Sequence, residues 1–183
     1  MKIYLIRTLT AVLALLLLLT ATACQAPDGS LDTTPPESVT YPEGDTAPDF
    51  TVLDAEGNEV SLSDFFGTPI VLNFWASWCP PCKAELPDFE AACKKYEGKV
   101  TFLMVNMTDG QRETVEVAKD FIASEGYTFP VYFDTKYEAS YAYGISSIPT
   151  TYFINADGTP EAKATGMISA TQLEQGIGMI YGE

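Results

Sequence analysis

The chain has 183 residues, is 46% hydrophobic and carries a formal net charge of −15. That length holds one domain with extensions, and the apolar content suffices for a buried core. The acidity argues against nucleic-acid binding, which needs a basic surface, and the absence of histidine excludes His-based triads, metal ligands and proton shuttles.

Residues 1–23 stand apart from any core. Lys2 and Arg7 give a positive start, Leu9–Leu19 is an apolar run, and Thr20-Ala21-Thr22-Ala23 place small residues before Cys24. The run is too short for a comfortable membrane span, and the pattern predicts an export signal. Small residues leading into a cysteine resemble a bacterial lipoprotein signal, in which Cys24 becomes the lipid-modified N-terminus. Ala21 departs from that pattern, where leucine is usual. An uncleaved anchor and ordinary secretion are the alternatives, and each of the three exports the domain. With the two cations of the leader removed, eight cations face 25 acids, a net charge of −17. That balance keeps an exported domain soluble and disfavours a strongly acidic partner.

Residues 24–45 read as a disordered tether, since Pro27, Pro35, Pro36 and Pro42 fall here among acids and no base does. As a flexible coil it would hold the domain roughly 26 Å from its anchor. The folded domain is expected over 46–183. Phe50–Leu53 and Glu59–Leu62 predict an opening β-hairpin, and Ser63 is placed to cap a short helix closed by Gly67. Ile70–Trp75 is a nearly unbroken apolar run, as expected of a strand buried on both faces.

A helix follows from about Pro80 to Tyr96, with Leu86, Phe89, Cys93 and Tyr96 at helical spacing from Cys82 and with Pro87 inside it. Val100–Asn106 predicts a second buried strand, Gln111–Ser124 an amphipathic helix, and Phe129–Phe133 a further strand. A short helix at Tyr137–Tyr143 leads to Ile148-Pro149-Thr150. Thr151–Asn155 and Ala162–Gly166 pair through Asp157-Gly158, and Ala170–Tyr181 forms a last helix weakened by Gly176 and Gly178. Strands alternating with helices before a closing hairpin imply an α/β mixed sheet with helices on both faces.

The chemistry sits where the apolar strand meets the helix, at Trp78-Cys79-Pro80-Pro81-Cys82. Two cysteines two residues apart can pair, and a helix N-terminus favours a thiolate. A zinc half-site or an inert disulfide are the other readings, but zinc would need two more ligands and no second CxxC or histidine supplies them. Cys93 lies about 16 Å further along the helix, too far to pair with Cys82, and reads as a buried structural thiol. Trp75 reads as core, while Trp78 borders the cysteines and is a candidate for the substrate surface.

Together with Ile148-Pro149-Thr150, this motif resembles a thioredoxin-like fold. The opening hairpin and the additional helix-strand segment over 108–135 narrow the resemblance to TlpA/ResA-type thiol-disulfide oxidoreductases, with a redoxin (AhpC/TSA-like) domain. These are membrane-anchored, exported proteins acting in disulfide reduction or cytochrome c maturation. The resemblance implies that Cys79 attacks a substrate disulfide and Cys82 resolves the mixed disulfide. It implies that Pro149 follows a cis peptide bond and that the backbone of Ile148 pairs edge-on with an extended substrate segment; an ordinary trans-proline is the alternative. Asn73 stands where plain thioredoxins carry a buried aspartate.

ResA-like members carry a functional glutamate in Cys-x-x-Glu-x-Pro, which falls here on Glu85. Partial burial would raise its pKa toward the range useful for deprotonating Cys82; a solvated helix glutamate near Lys83 is the alternative. Pro80 and Pro81 lack N–H groups, which should temper stabilisation of a Cys79 thiolate and favour a reductant over a strong oxidant. The expected partners are an exported protein disulfide and a membrane thiol-disulfide transporter as electron donor. No cofactor is expected, since no Gly-rich dinucleotide loop follows a strand. A peroxiredoxin-like thiol peroxidase and a non-catalytic tethered binding module are the competing functions.

Overall fold

In the computed structural model, residues 34–38 and 45–182 are described. The leader and Cys24 lie outside them. Seven strands form a mixed sheet: β2 (Thr51–Leu53), β3 (Glu59–Ser61), β4 (Ile70–Trp75), β5 (Thr101–Asn106), β6 (Val131–Phe133), β7 (Thr150–Ile154) and β8 (Pro160–Thr165). A two-residue strand, β1 (Glu37–Ser38), adds at one edge by pairing with Lys163 and Ala162 of β8. The order is β1-β8-β7-β4-β5-β6-β2-β3. Strands β4, β5 and β6 run parallel, while β7, β8 and the β2–β3 hairpin are antiparallel to their neighbours.

A piece of the segment read as a tether is therefore sheet. The free hydrogen-bonding groups on the outer side of β8 accept a short stretch of chain, which shields that edge. Pro36 is buried beside it, and the Thr34 carbonyl accepts a hydrogen bond from Gln172 Nε2.

Four α-helices cover the sheet: α1 (Pro80–Lys95), α2 (Val115–Glu125), α3 (Glu138–Ala142) and α4 (Ala170–Ile180). Every residue of β4 is buried, as its composition predicts. Its alternation divides the core. Val71 and Trp75 join Leu86 and Phe89 of α1, Ala118 of α2, and Leu173 and Ile177 of α4. Ile70, Leu72 and Phe74 join Phe50, Leu62, Leu103, Tyr143 and Tyr152 on the opposite face, with Ala139 of α3.

Three local expectations are corrected. The short helix at Leu62–Phe65 is a 3-10 turn that starts after Ser61, not Ser63. The Asp64 carboxylate accepts from the Ser61 N–H, while the N–H and hydroxyl of Ser63 are taken by Asp49. Helix α2 begins at Val115 rather than Gln111, because Asp109 accepts the N–H groups of Gln111 and Glu113, and Thr114 then caps the helix through Val117 N. Cys93 is only half-buried and free; it packs against the core edge, and burial pushes its thiol pKa up.

Gly176, expected to weaken the last helix, has a packing role. It sits where a Cβ would overlap the Phe153 ring, so α4 approaches β7 more closely than any side chain there would allow.

Candidate active site

Strand β4 ends at Trp75, and four residues later Cys79 caps α1 in an extended conformation. Pro80 and Pro81 occupy the first helical positions, where missing N–H groups cost no intrahelical bond. The first N–H to return to the loop is that of Cys82, which donates to Cys79 Sγ at 3.3 Å. The two cysteines form a disulfide, with Cα atoms 5.2 Å apart. Cys79 is 3% exposed and Cys82 fully buried, so the sulfur that can be approached from outside is that of Cys79.

The Ile148–Pro149 peptide bond is cis. Cys79 Sγ lies 3.7 Å from the Ile148 carbonyl oxygen. On the other side of the proline, the Pro149 carbonyl accepts from Gly166 N at 2.8 Å, tying this turn to the end of β8. Trp78 is 36% exposed beside the disulfide, whereas Trp75 is completely enclosed.

Beneath Cys82, one helical turn on, Glu85 is buried. Its Oε1 accepts from Asn73 Nδ2 and its Oε2 from Ile168 N, each at 3.0 Å. Burial dominates over these two donors and pushes the carboxyl up to about 7, with Asp88 adding a smaller push. Asn73 itself is positioned by register, because β4 sets it opposite Thr151 of β7, whose hydroxyl accepts a second bond from Nδ2. Asn73 Oδ1 is buried with no partner among the described residues.

The sequence reading missed a second buried carboxylate. Glu113, in the loop between β5 and α2, is completely buried and accepts from Ser77 N (2.8 Å), Ser77 Oγ (2.6 Å) and Asn106 Nδ2 (2.6 Å). Asn106 is held in turn by Thr108, whose hydroxyl donates to its Oδ1. The inserted segment is thereby fastened to the loop that carries Trp78 and Cys79. Helical periodicity carried back to Gln111 disguises Glu113 as an exposed helix residue. The available signal was Asp109-Gly110, a turn pair that ends a strand and delays the helix.

A mixed sheet that presents an N-capping cysteine, its disulfide partner and a cis-proline at one end defines a thioredoxin-like redox protein. Residues 43–162 match the model of the AhpC/TSA family. Thiol-disulfide oxidoreductase ResA of Bacillus subtilis is 34% identical over 139 residues, covering 75% of each chain. The crystal structure of StoA from Bacillus subtilis superposes with a TM-score of 0.62 at 34% identity, covering 72% of this chain and 98% of that one. The exposed lipoprotein thioredoxin of Streptococcus pneumoniae gives 0.59 at 29% identity, covering 69% and 96%.

The chain belongs to the AhpC/TSA family and, within it, to the ResA-type thiol-disulfide oxidoreductases. It is an enzyme of thiol-disulfide exchange, and Cys79–Cys82 is its active-site disulfide. This takes the place of the peroxidase and the non-catalytic module weighed above.

Proposed function

We propose that the protein is an extracytoplasmic reductase of protein disulfides, held to the membrane by lipid on Cys24, in which Glu85 serves as proton acceptor for Cys82. In the reduced enzyme the Cys79 thiolate attacks one sulfur of a client disulfide. A mixed disulfide forms and the first client thiolate leaves. Cys82 then gives its proton to Glu85 and attacks Cys79 Sγ, expelling the second client thiolate and closing the Cys79–Cys82 disulfide. Two electrons pass to the client, and the two thiol protons follow through Glu85 and solvent. A membrane dithiol donor restores the enzyme.

The observation that carries this reading is the buried Glu85 carboxyl, one turn below Cys82 and pushed up to about 7 by desolvation. A base at that value accepts a proton at neutral pH and releases it again readily. Asn73 suits both states: its amide donates to the carboxylate as found, and turned over it would offer Oδ1 to the carboxylic acid. The Ile148 backbone, Pro149 and Trp78 form the client surface, the first by pairing with an extended segment. The tether joins Cys24 to the folded domain. Apocytochrome c and other exported proteins with an oxidised cysteine pair have the right chemistry as clients.

The test joins trapping to kinetics. Cys82→Ser, expressed in the native envelope, should accumulate client proteins disulfide-linked to Cys79, and their identity names the substrate. Glu85→Gln should flatten the rise in exchange rate through pH 7. An unchanged pH profile removes Glu85 from the mechanism, and an absence of trapped partners removes the reductase reading.

A further inference from the structure

Arg112 is the one arginine beyond the leader of a strongly acidic chain. It is exposed, and its guanidinium carbon lies 4.1 Å from the centroid of the Trp78 ring, immediately before Cys79. A guanidinium lying on an indole is held by cation–π attraction and keeps its N–H edge free for a planar acceptor. Among the described residues, no hydrogen bond or ion pair engages that guanidinium. Its neighbour Asp109 attracts that charge without forming an ion pair with it, and spends a carboxylate oxygen on the N–H groups of Gln111 and Glu113.

The arrangement is built from below on both sides of the contact. Glu113, the next residue after Arg112, is completely buried and bonds Ser77, the residue before Trp78. The same carboxylate therefore anchors the loop bearing the guanidinium and the loop bearing the indole. Asn106, at the end of β5, also donates to that carboxylate, at the Oε1 that takes the Ser77 N–H. An arginine placed by chance on an exposed loop would have no such support beneath it.

We propose that Arg112, seated on Trp78, is a specificity-determining residue that selects client segments with an Asp or Glu side chain adjacent to the reacting cystine. The substrates of exchange are polypeptides, whose anionic side chains are carboxylates, and a guanidinium edge accepts a carboxylate through two parallel hydrogen bonds. The overall negative charge of the domain does not oppose this at contact range. At physiological ionic strength its field is screened beyond about 8 Å, so the local cation governs the final approach. Glu113 acts as the positioning residue for the pair. The inference rests on the exchange reaction proposed above and adds the class of client.

The test uses the reduced full-length chain and three synthetic peptides with one internal disulfide, differing only in Glu, Gln or Lys beside the more exposed cysteine. The readout is the ratio of second-order rate constants within each protein. For the wild type the Glu peptide should outpace the Lys peptide by about tenfold, a difference of about 1.4 kcal/mol. Arg112→Gln should bring the ratio close to one, and Arg112→Glu should invert it. Raising the salt concentration should shrink the wild-type ratio.

Lys83→Gln serves as the control for undirected positive charge, since Lys83 occupies the first turn of α1 with its ammonium over the Phe121 ring. It should keep most of the preference. A flat wild-type ratio, a ratio unchanged in Arg112→Glu, or a preference removed by Lys83→Gln as fully as by Arg112→Gln each overturns the assignment. Thermal melts establish that each variant is folded. Failure of every protein to exchange with any peptide would instead count against the reductase reading itself.

Discussion

Glu85 and Glu113 are both buried carboxylates next to the active-site disulfide, one below Cys82 and the other below Ser77, yet they meet different surroundings. Glu85 receives one side-chain amide and one backbone N–H, and the desolvation it suffers exceeds what those two donors return. Glu113 receives three donors from two separate elements, at 2.6 to 2.8 Å. A buried carboxylate with few donors is suited to taking and losing a proton. One gripped by several donors is suited to fastening loops together. Burial is common to both; the supply of donors distinguishes them.

Opposite responses to substitution would establish the contrast. The largest effect is expected from Glu113→Ala. It leaves the Ser77 N–H, the Ser77 hydroxyl and the Asn106 amide without their acceptor, at a cost of roughly 4 kcal/mol in unfolding free energy. Denaturant melts of the oxidised protein at pH 7 measure this. A loss below about 1 kcal/mol would place Glu113 among ordinary surface-like residues and dissolve the comparison.

Glu85→Gln should act in the other direction, and only above a certain pH. The folded carboxyl sits at about 7 against an ordinary value of 4.5, so between those limits the folded state holds a proton that the unfolded chain has released. Stability from this group is therefore fully present below pH 4.5 and declines as pH rises to 7, by about 3 kcal/mol in total. Glutamine imitates the protonated acid. It can accept from Ile168 N and, with the Asn73 amide turned over, donate to Asn73 Oδ1. Melts from pH 4.5 to 8 should show the wild type losing this stability and Glu85→Gln keeping it. Parallel curves would contradict the raised pKa.

Asn73→Asp sharpens the point by a smaller step. It places a second carboxyl where an amide now donates to Glu85 Oε1. Two carboxyls at hydrogen-bond distance cannot both ionise easily, so one proton is shared and the upper apparent pKa of the pair rises. The rate of exchange should then reach its plateau at a pH about one unit higher than in the wild type. A plateau at the same or lower pH would mean that residue 73 does not act through Glu85.

Much of this site was legible in the sequence because its signals are local. A buried strand reads as an apolar run, a dithiol as a fixed spacing, and Glu85 as the next position on the helix side that carries Cys82. The inserted loop was not legible for the same physical reason that it works. Asp109 turns backbone N–H groups inward with its own side chain, so residues 109–114 have neither helical nor strand periodicity. Ser61 and Ser63 both suit a helix cap in sequence, and Asp49, distant in the chain, takes Ser63 out of contention. The cost of Gly176 to its helix was readable, but the Phe153 ring that requires it was not. The short strand β1 likewise depends on an exposed edge that exists only once β8 is in place.

The mildest probe of the Glu113 anchor is Ser77→Ala. The hydroxyl donates to Glu113 Oε2 at 2.6 Å, while the Ser77 N–H separately holds Oε1. The substitution removes only the first of these, and an intramolecular hydrogen bond contributes about 0.5–1.5 kcal/mol net. About 1 kcal/mol is therefore expected in melts at pH 7. If Glu113 is the common anchor of the two loops, Ser77→Ala and Glu113→Ala cannot be independent. The double variant should be no less stable than Glu113→Ala alone, since the hydroxyl has nothing left to bond. A double-mutant cycle measures that coupling directly. Full additivity would mean that the hydroxyl stabilises the loop through some other contact, and that the 2.6 Å bond carries no share of the anchoring.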